Sequence, residues 1–306
     1  MKNSNPEIGQ ANAGIFPPLF LAEWQETKDT LHLWTQIIGK IRLAQTPLTN
    51  HFWNVPLYVS ARGLTTSAMP YERGVFEIEF DFIEHNLVIK TSEGAAEKIR
   101  LEPKSVARFY EEVMTTLATL GINPEIRNLP DEIPGAIPFT EDETHQSYDG
   151  EYANRFWRVL IQVDKIFNES RSKFIGKVSP VHFFWGSFDL AVTRFNGMRA
   201  PERENADSIT REAYSHAVIS HGFWLGGNGM EAAFYAYAAP EPEGFKTAPI
   251  KPEKAFYSQE MNEYFLMYED VRSADKPREA LTDFLNSTYE AGADLAGWKR
   301  DEIERD

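Results

Sequence analysis

The 306-residue chain contains no cysteine, which removes disulfides, thiolate nucleophiles, iron–sulfur ligation and cysteine zinc sites together. Such a composition suits a reducing cytoplasm. Basic residues are scarce: 31 Lys and Arg stand against 46 Asp and Glu, a formal charge of -15, so long-range attraction to nucleic acid or an anionic membrane is not expected. No apolar run approaches the roughly 18 residues that suggest a membrane span. The opening stretch MKNSNPEIGQANAG is polar and lacks the apolar core of an export signal. Catalytic fingerprints are also missing. Ser187 in GSFD has no G-x-S-x-G elbow, no Walker A loop or dinucleotide glycine pattern follows a strand, and GGNG at 226–229 reads as a hairpin turn.

Aromatic rings, by contrast, make up 13% of the chain, and rings need cores or pockets. The length allows two domains, or one built from two similar halves. Residues 1–20 read as a disordered or extended segment. WQETKDTLHLWTQIIGKIRLA then sets Leu31, Trp34, Ile38 and Ile41 at helical spacing, so one face packs and the other stays polar. Three strand-like stretches follow: VPLYVSARG, VFEIEFDFI and HNLVIKT. In the second, Phe76, Ile78, Phe80 and Phe82 alternate with Glu77, Glu79 and Asp81, the mark of a sheet with one wet face. PKSVARFYEEVMTTLATLG closes the unit with a helix, Pro103 in its first turn and Gly121 at its stop.

Residues 129–150 hold prolines and acids without a period and read as a linker or covering loop. A second helix follows with Phe156, Leu160, Val163 and Phe167 in register, then strands, a hairpin turning at 226–229, and a last amphipathic helix over 278–298. Short echoes support a duplication. Ile38-Gly39-Lys40 returns as Ile175-Gly176-Lys177, and NHFW at Asn50 to Trp53 as VHFFW at Val181 to Trp185, each followed by a strand ending near an arginine, Arg62 or Arg194. The expected fold is α+β, two similar helix, antiparallel-strand, helix lobes (21–128 and 151–306) in a pseudo-twofold relation, with a cleft between them.

Candidate chemistry gathers on the recurring element. His51, Trp53 and Arg62 from one lobe and His182, Trp185 and Arg194 from the other suggest an aromatic-walled pocket with cationic ends for a small anionic or planar ligand. The competing reading makes these core rings with satisfied polar tips. A guanidinium in an apolar strand needs a partner, and Asp189 is available as one. In YSHAVISHGFW, His216 and His221 are five apart and share neither a helical nor a strand face, so a metal clasp from both is not expected. His216 meeting His182 or Asp189 across strands would make a general acid or base. His32, one turn before Gln36, looks toward the interlobe space, while His145 in TEDETHQSYD reads as part of a solvated loop.

Taken together, TLHLWTQIIGKIRL, VPLYVSARGLTTS, IGKVSPVHFFWGSFDLAVTRF and YSH...GFW resemble a family of uncharacterised, mostly bacterial proteins grouped only as a domain of unknown function. The resemblance runs from about Trp24 to Trp298 and brings no established activity. Thr30, Leu31, His32, Trp34, Arg62, Gly63, His182, Asp189, Arg194, Tyr214, Ser215 and His216 match that pattern. Ala217 and Leu225 depart from it, where an acid and a proline are usual.

The resulting expectation is a cytoplasmic protein that binds a small polar or anionic metabolite between its lobes, without nucleic acid or membrane as partner and with self-association left open. Catalytic general acid–base roles fall to His182, His216 and Asp189. Ligand contacts fall to His32, His51, Arg62, Trp185, Arg194 and Tyr214. No metal is assigned, the cofactor is unknown, and whether the protein is an enzyme is undecided. The alternative is a non-catalytic interaction or self-associating protein using exposed aromatics and a sheet edge.

Overall fold

A computed structural model of the chain describes residues 16–227 and 229–305. Most of the segment expected to be disordered or extended, residues 1–15, lies outside the described residues, as does Asn228 in the expected hairpin turn. The fold is α+β. A long helix α1 (Leu21–Gln45) is followed by β1 (Tyr58–Val59), β2 (Gly63–Thr65), β3 (Met69–Tyr71), β4 (Gly74–Asp81), β5 (Asn86–Thr91) and β6 (Ala96–Arg100), then α2 (Val106–Thr119). All pairings are antiparallel, in the order β1-β2-β4-β5-β6 with β3 on β4. The alternation read in β4 is observed: Phe76, Ile78 and Phe80 are fully buried while Glu77 and Glu79 are not. Strands β3 and β6 were not expected, because MPY contains a proline and AEKIR exposes all but Ile99. Pro103 lies ahead of the helix rather than in its first turn, since Ser105 caps α2 by accepting from the Arg108 amide.

The second half opens with α3 (Gly150–Ser172), started by Asp149, whose carboxylate accepts from two amides. It continues through β7 (His182–Phe184), β8 (Asp189–Arg199), a short helix α4 (Ser208–Ala213), β9 (His216–Trp224), β10 (Ala233–Ala239), β11 (Phe256–Ser258) and β12 (Glu263–Met267). Helices α5 (Tyr268–Arg272), α6 (Pro277–Leu295) and α7 (Arg300–Ile303) complete it. Its six strands form one antiparallel sheet, β11-β12-β10-β9-β8-β7. Both halves thus run helix, antiparallel sheet mostly in meander order, helix, although β3 branches off β4 and β10 pairs with β12 rather than β11. Strand lengths differ, and only the second half inserts a helix between neighbouring strands.

Helix α1 corrects the expectation of one polar face. It is buried nearly all round, Thr30, Thr35, Gln36, Lys40 and Arg42 included. Those polar groups find partners: Gln36 exchanges two hydrogen bonds with the Asp131 backbone at 2.8 Å each, Lys40 pairs with the Asp131 carboxylate, and Arg42 donates to the Thr66 carbonyl. Asp131 belongs to the segment read as linker or covering loop. That segment also buries Phe139 and Asp142, so it packs as part of the structure. The two sheets are stitched by reciprocal backbone bonds between Leu57 and Phe183, 2.9 and 2.8 Å, and by the Trp185 indole donating to the Val55 carbonyl at 2.9 Å. Gly39 makes room for that indole: a Cβ there would lie 2.1 Å from it. Among the described residues no helix is long and apolar enough to cross a membrane.

Candidate functional site

A strand buries alternate side chains on opposite faces, and the second sheet uses its two faces differently. One face carries Leu190, Val192, Ile219, Phe223, Phe234 and Leu266, all buried, and packs on α3 and α6. The other floors a cavity of about 370 Å³. Its floor is built from rows set by the strand register. His182, Ala191, Gly222, Tyr235 and Phe265 stand side by side across five strands. Asp189 faces Trp224 in the next row, and Thr193, Ser220 and Tyr237 form the row on the other side. Helix α4 supplies part of the roof through Thr210 and Ala213, and Glu132 enters from the connecting segment.

The first half closes the far end with His51 and Trp53. His51 and Phe52 both sit in the left-handed region, φ 58° and 57°, a conformation costing about 1–2 kcal/mol for a residue with a side chain. Contacts with α4 hold it there: the His51 amide donates to the Glu212 carboxylate at 2.9 Å, and its Nδ1–H to the Glu212 carbonyl at 3.0 Å. Since that carbonyl only accepts, Nε2 is unprotonated and accepts from the Lys177 ammonium at 2.6 Å.

Asp189 is held at the opposite end. Tyr235 donates to its Oδ2 at 2.5 Å and Ser187 to its Oδ1 at 2.8 Å. Tyr235 reaches it by lying across β9 at Gly222, where a Cβ would fall 2.1 Å from the phenol ring. Burial pushes the Asp189 carboxyl above its ordinary range and the Tyr235 phenol well above 10.0. Glu263, on the cavity wall with no hydrogen-bond partner among the described residues, is raised to about 7 by burial and then by the Asp189 charge. Burial and the same neighbour raise Glu132. His182 is 1% exposed, its Nδ1 has no partner among the described residues, and burial followed by the Arg171 charge lowers it to about 3. Its imidazole is therefore neutral at physiological pH, whereas the Glu263 carboxyl is raised toward the range in which a proton exchanges near neutrality.

The structure brings His182, Asp189, His51 and Tyr214 to this cavity, with Tyr214 bonded to Tyr237 hydroxyl to hydroxyl at 2.8 Å. His216 stands just outside, its ring 5.6 Å from that of His51 and bonded to Ser215. Four others are elsewhere. Arg62 pairs with Asp81 at 2.7 Å on the first sheet. His32 donates from Nε2 to the Gly186 carbonyl at 2.8 Å and is lowered to about 4 by burial. Trp185 lines a neighbouring groove of about 730 Å³ that shares Glu132 and Ser187 with the cavity. Arg194 points to the helix-packed face, donating to Ser170 at 2.8 Å and lying 4.7 Å from the Tyr289 ring centroid. His145 bonds Asp142, one of the acids beside it in sequence, at 2.8 Å, and that carboxylate is buried rather than solvated.

A family model described as a family of unknown function, DUF5996, matches residues 16–305. The chain belongs to that family. No curated protein and no solved structure matches it. For this DUF5996 chain the residues not anticipated are Glu132, Glu263, Tyr235, Tyr237 and Lys177. Alternation in AFYAYAA puts the two tyrosines on one face; nothing local marks the rest.

Proposed function

We propose that this cavity binds a small organic cation. One observation carries the reading: Asp189, Glu263 and Glu132 open on it, and among the described residues none of the three has a lysine, arginine or histidine in ion-pair range. Asp189 is buried, Glu263 half-buried and Glu132 exposed; carboxyl groups withdrawn from water without counter-charge, as the first two are, are stabilised by a cation that completes them. Trp224, Tyr235 and Tyr237 add ring faces that attract an ammonium or guanidinium. A metal is the poorer fit, because among the described residues no three carboxylate or imidazole groups converge for chelation. The arginines on which an anionic ligand was expected lie outside the cavity, which reverses the preferred charge. His182 supplies a neutral hydrogen-bonding group, and Glu263 exchanges a proton with a bound amine.

The reading keeps a cytoplasmic, duplicated scaffold of lobes 21–128 and 151–306, supported by the shared order helix, antiparallel sheet, helix. The site, however, sits on one sheet and borrows His51, Trp53 and Glu132, instead of splitting evenly between lobes. Calorimetry with hexylamine, hexanol and hexanoate tests the charge preference at constant length. Hexylamine is expected to bind at least tenfold tighter than hexanol or hexanoate, and Asp189→Asn and Glu263→Gln each to weaken the amine. Equal binding of hexylamine and hexanol, or a preference for hexanoate, overturns the reading.

A further inference from the structure

The end of the cavity away from Asp189 carries the opposite charge. Lys177 pairs directly with Phe195 across the sheet edge, its carbonyl accepting from the Phe195 amide at 2.9 Å, and the neighbouring bridge is Val178 with Arg194. Residues directly opposite in an antiparallel pair point to the same face. Phe195 lines the cavity, so Lys177 stands on the cavity side. Its ammonium lies 5.2 Å from the Phe195 ring centroid and 5.4 Å from that of Trp53, and donates to His51 Nε2. Phe195, Trp53 and His51 are all cavity walls.

The ammonium has no carboxylate in ion-pair range among the described residues. Glu212, the acid whose charge acts on it, is engaged by the His51 amide. An ammonium has three donors, and His51 takes one. Lys177 is exposed at this rim, where Arg199 and His216 also meet across the β8–β9 ladder, so its free donors are open to a ligand. The chain thus places Asp189 at one end of a hollow, Glu263 along its β12 wall within range of the Asp189 charge, and an ammonium without an ion-pair partner at the other end. Six residues of β8 separate Asp189 from Phe195, about 20 Å between their backbones.

We propose that the ligand is amphoteric: its cationic group sits at the Asp189 end, in the field of Glu263, and a carboxylate or phosphate at its other end is held by Lys177 beside His51. The inference rests on the cation-binding reading and adds the second charge. It makes Lys177 a specificity residue that separates amino acids and amino phosphates from plain amines.

A calorimetric ladder tests it, with unbranched alkylamines of four to twelve carbons, the ω-amino carboxylic acids of the same lengths and the corresponding ω-aminoalkyl phosphates. The acid-bearing probes are expected to bind roughly tenfold or more tightly than amines of equal length at one optimal span, as a charge-assisted hydrogen bond implies. Which acid gains more identifies the group. Lys177→Gln should abolish that gain while amines still bind at least as tightly as before, because a like charge has been removed. Its near-native circular dichroism and melting temperature establish folding, and Lys177→Arg should restore most of the gain. Amines that bind with no gain from either acid, or a gain that survives Lys177→Gln, overturn the amphoteric ligand alone. If neither amines nor amphoteric probes bind, the cation-binding reading falls as well.

Discussion

Glu263→Gln is expected to stabilise the protein, and only above acid pH. The carboxyl lies among aromatic rings on the cavity wall and is raised from 4.5 to about 7 by burial and the Asp189 charge. The unfolded chain ionises this group near 4.5, so between pH 4.5 and 7 the unfolded state has lost the proton that the folded state keeps. Stability contributed by neutral Glu263 is complete below pH 4.5 and lost as pH rises through 7. The difference between 4.5 and about 7 corresponds to about 3 kcal/mol. Glutamine keeps the shape and cannot ionise. Urea unfolding of variant and wild type should therefore coincide at pH 4 and diverge by up to about 3 kcal/mol at pH 8, several degrees in melting temperature for a chain of this size. Cation binding provides the converse: amine affinity in the wild type should climb as pH approaches 7 and level off above it, while the variant shows a flat profile. A stability difference that is the same at pH 4 and pH 8, or a destabilised variant, would refute the picture of a desolvated carboxyl awaiting a counter-charge.

Gly222→Ala should drive the Tyr235 ring away from Asp189, costing about 1–3 kcal/mol of overpacking and lowering amine affinity; urea titration and calorimetry on the same sample read both. Arg194→Lys keeps the charge but loses the planar fork between Ser170, His221 and the Tyr289 ring, and should cost about 2 kcal/mol with amine affinity unchanged. Gly39→Ala sets a methyl against the Trp185 indole and should cost about 2 kcal/mol, seen as a lower urea midpoint with a shifted tryptophan emission. His32 and His182 are lowered by burial to about 4 and about 3, so the stability they contribute is present above 6.5 and lost as pH falls toward those values. The two protons outweigh the one taken up by Glu263, and His32→Gln should make the acid limb of a stability profile shallower.

Much of the scaffold was legible because its signals are local. Alternation in β4 and the stripes of α2, α3 and α6 each follow from one stretch of chain. The burial of α1 on all sides was not legible, since the loop that satisfies Gln36 and Lys40 arrives from residue 131, and nothing in the helix announces it. Of the candidate site, the placement of Arg194 could have been read. It lies five residues from Asp189 on one strand, and an odd separation sends two side chains to opposite faces. His221 obeys the same rule relative to His216, and joins Arg194 below the sheet: its Nε2–H donates to Thr288, whose hydroxyl donates onward to the Phe284 carbonyl, leaving Nδ1 to face the guanidinium at 3.4 Å. Glu263 was illegible because its meaning depends on β12 lying beside β10, a pairing fixed only by the tertiary fold.

The position of the cavity follows from what each face of the second sheet has to cover it. Below, α3 and α6 bring long apolar stripes, and even the polar pair Arg194 and His221 is enclosed by helix side chains. Above, α4, six residues long with none buried and pinned to the 50–52 turn through Glu212 and His51, covers the floor together with Glu132 and Trp53. A helix so short cannot fill the space over a five-strand floor, and the floor is not apolar enough to collapse onto it: Asp189, Thr193, Ser220, Tyr235 and Tyr237 all need polar partners. Had this face served only to hold the fold together, alternation would place valine or leucine at those positions, as it does at Leu190, Val192 and Ile219 beneath. Polar groups concentrated where the cover is thinnest are retained at a cost in stability, a cost that a bound ligand of the proposed kind would offset.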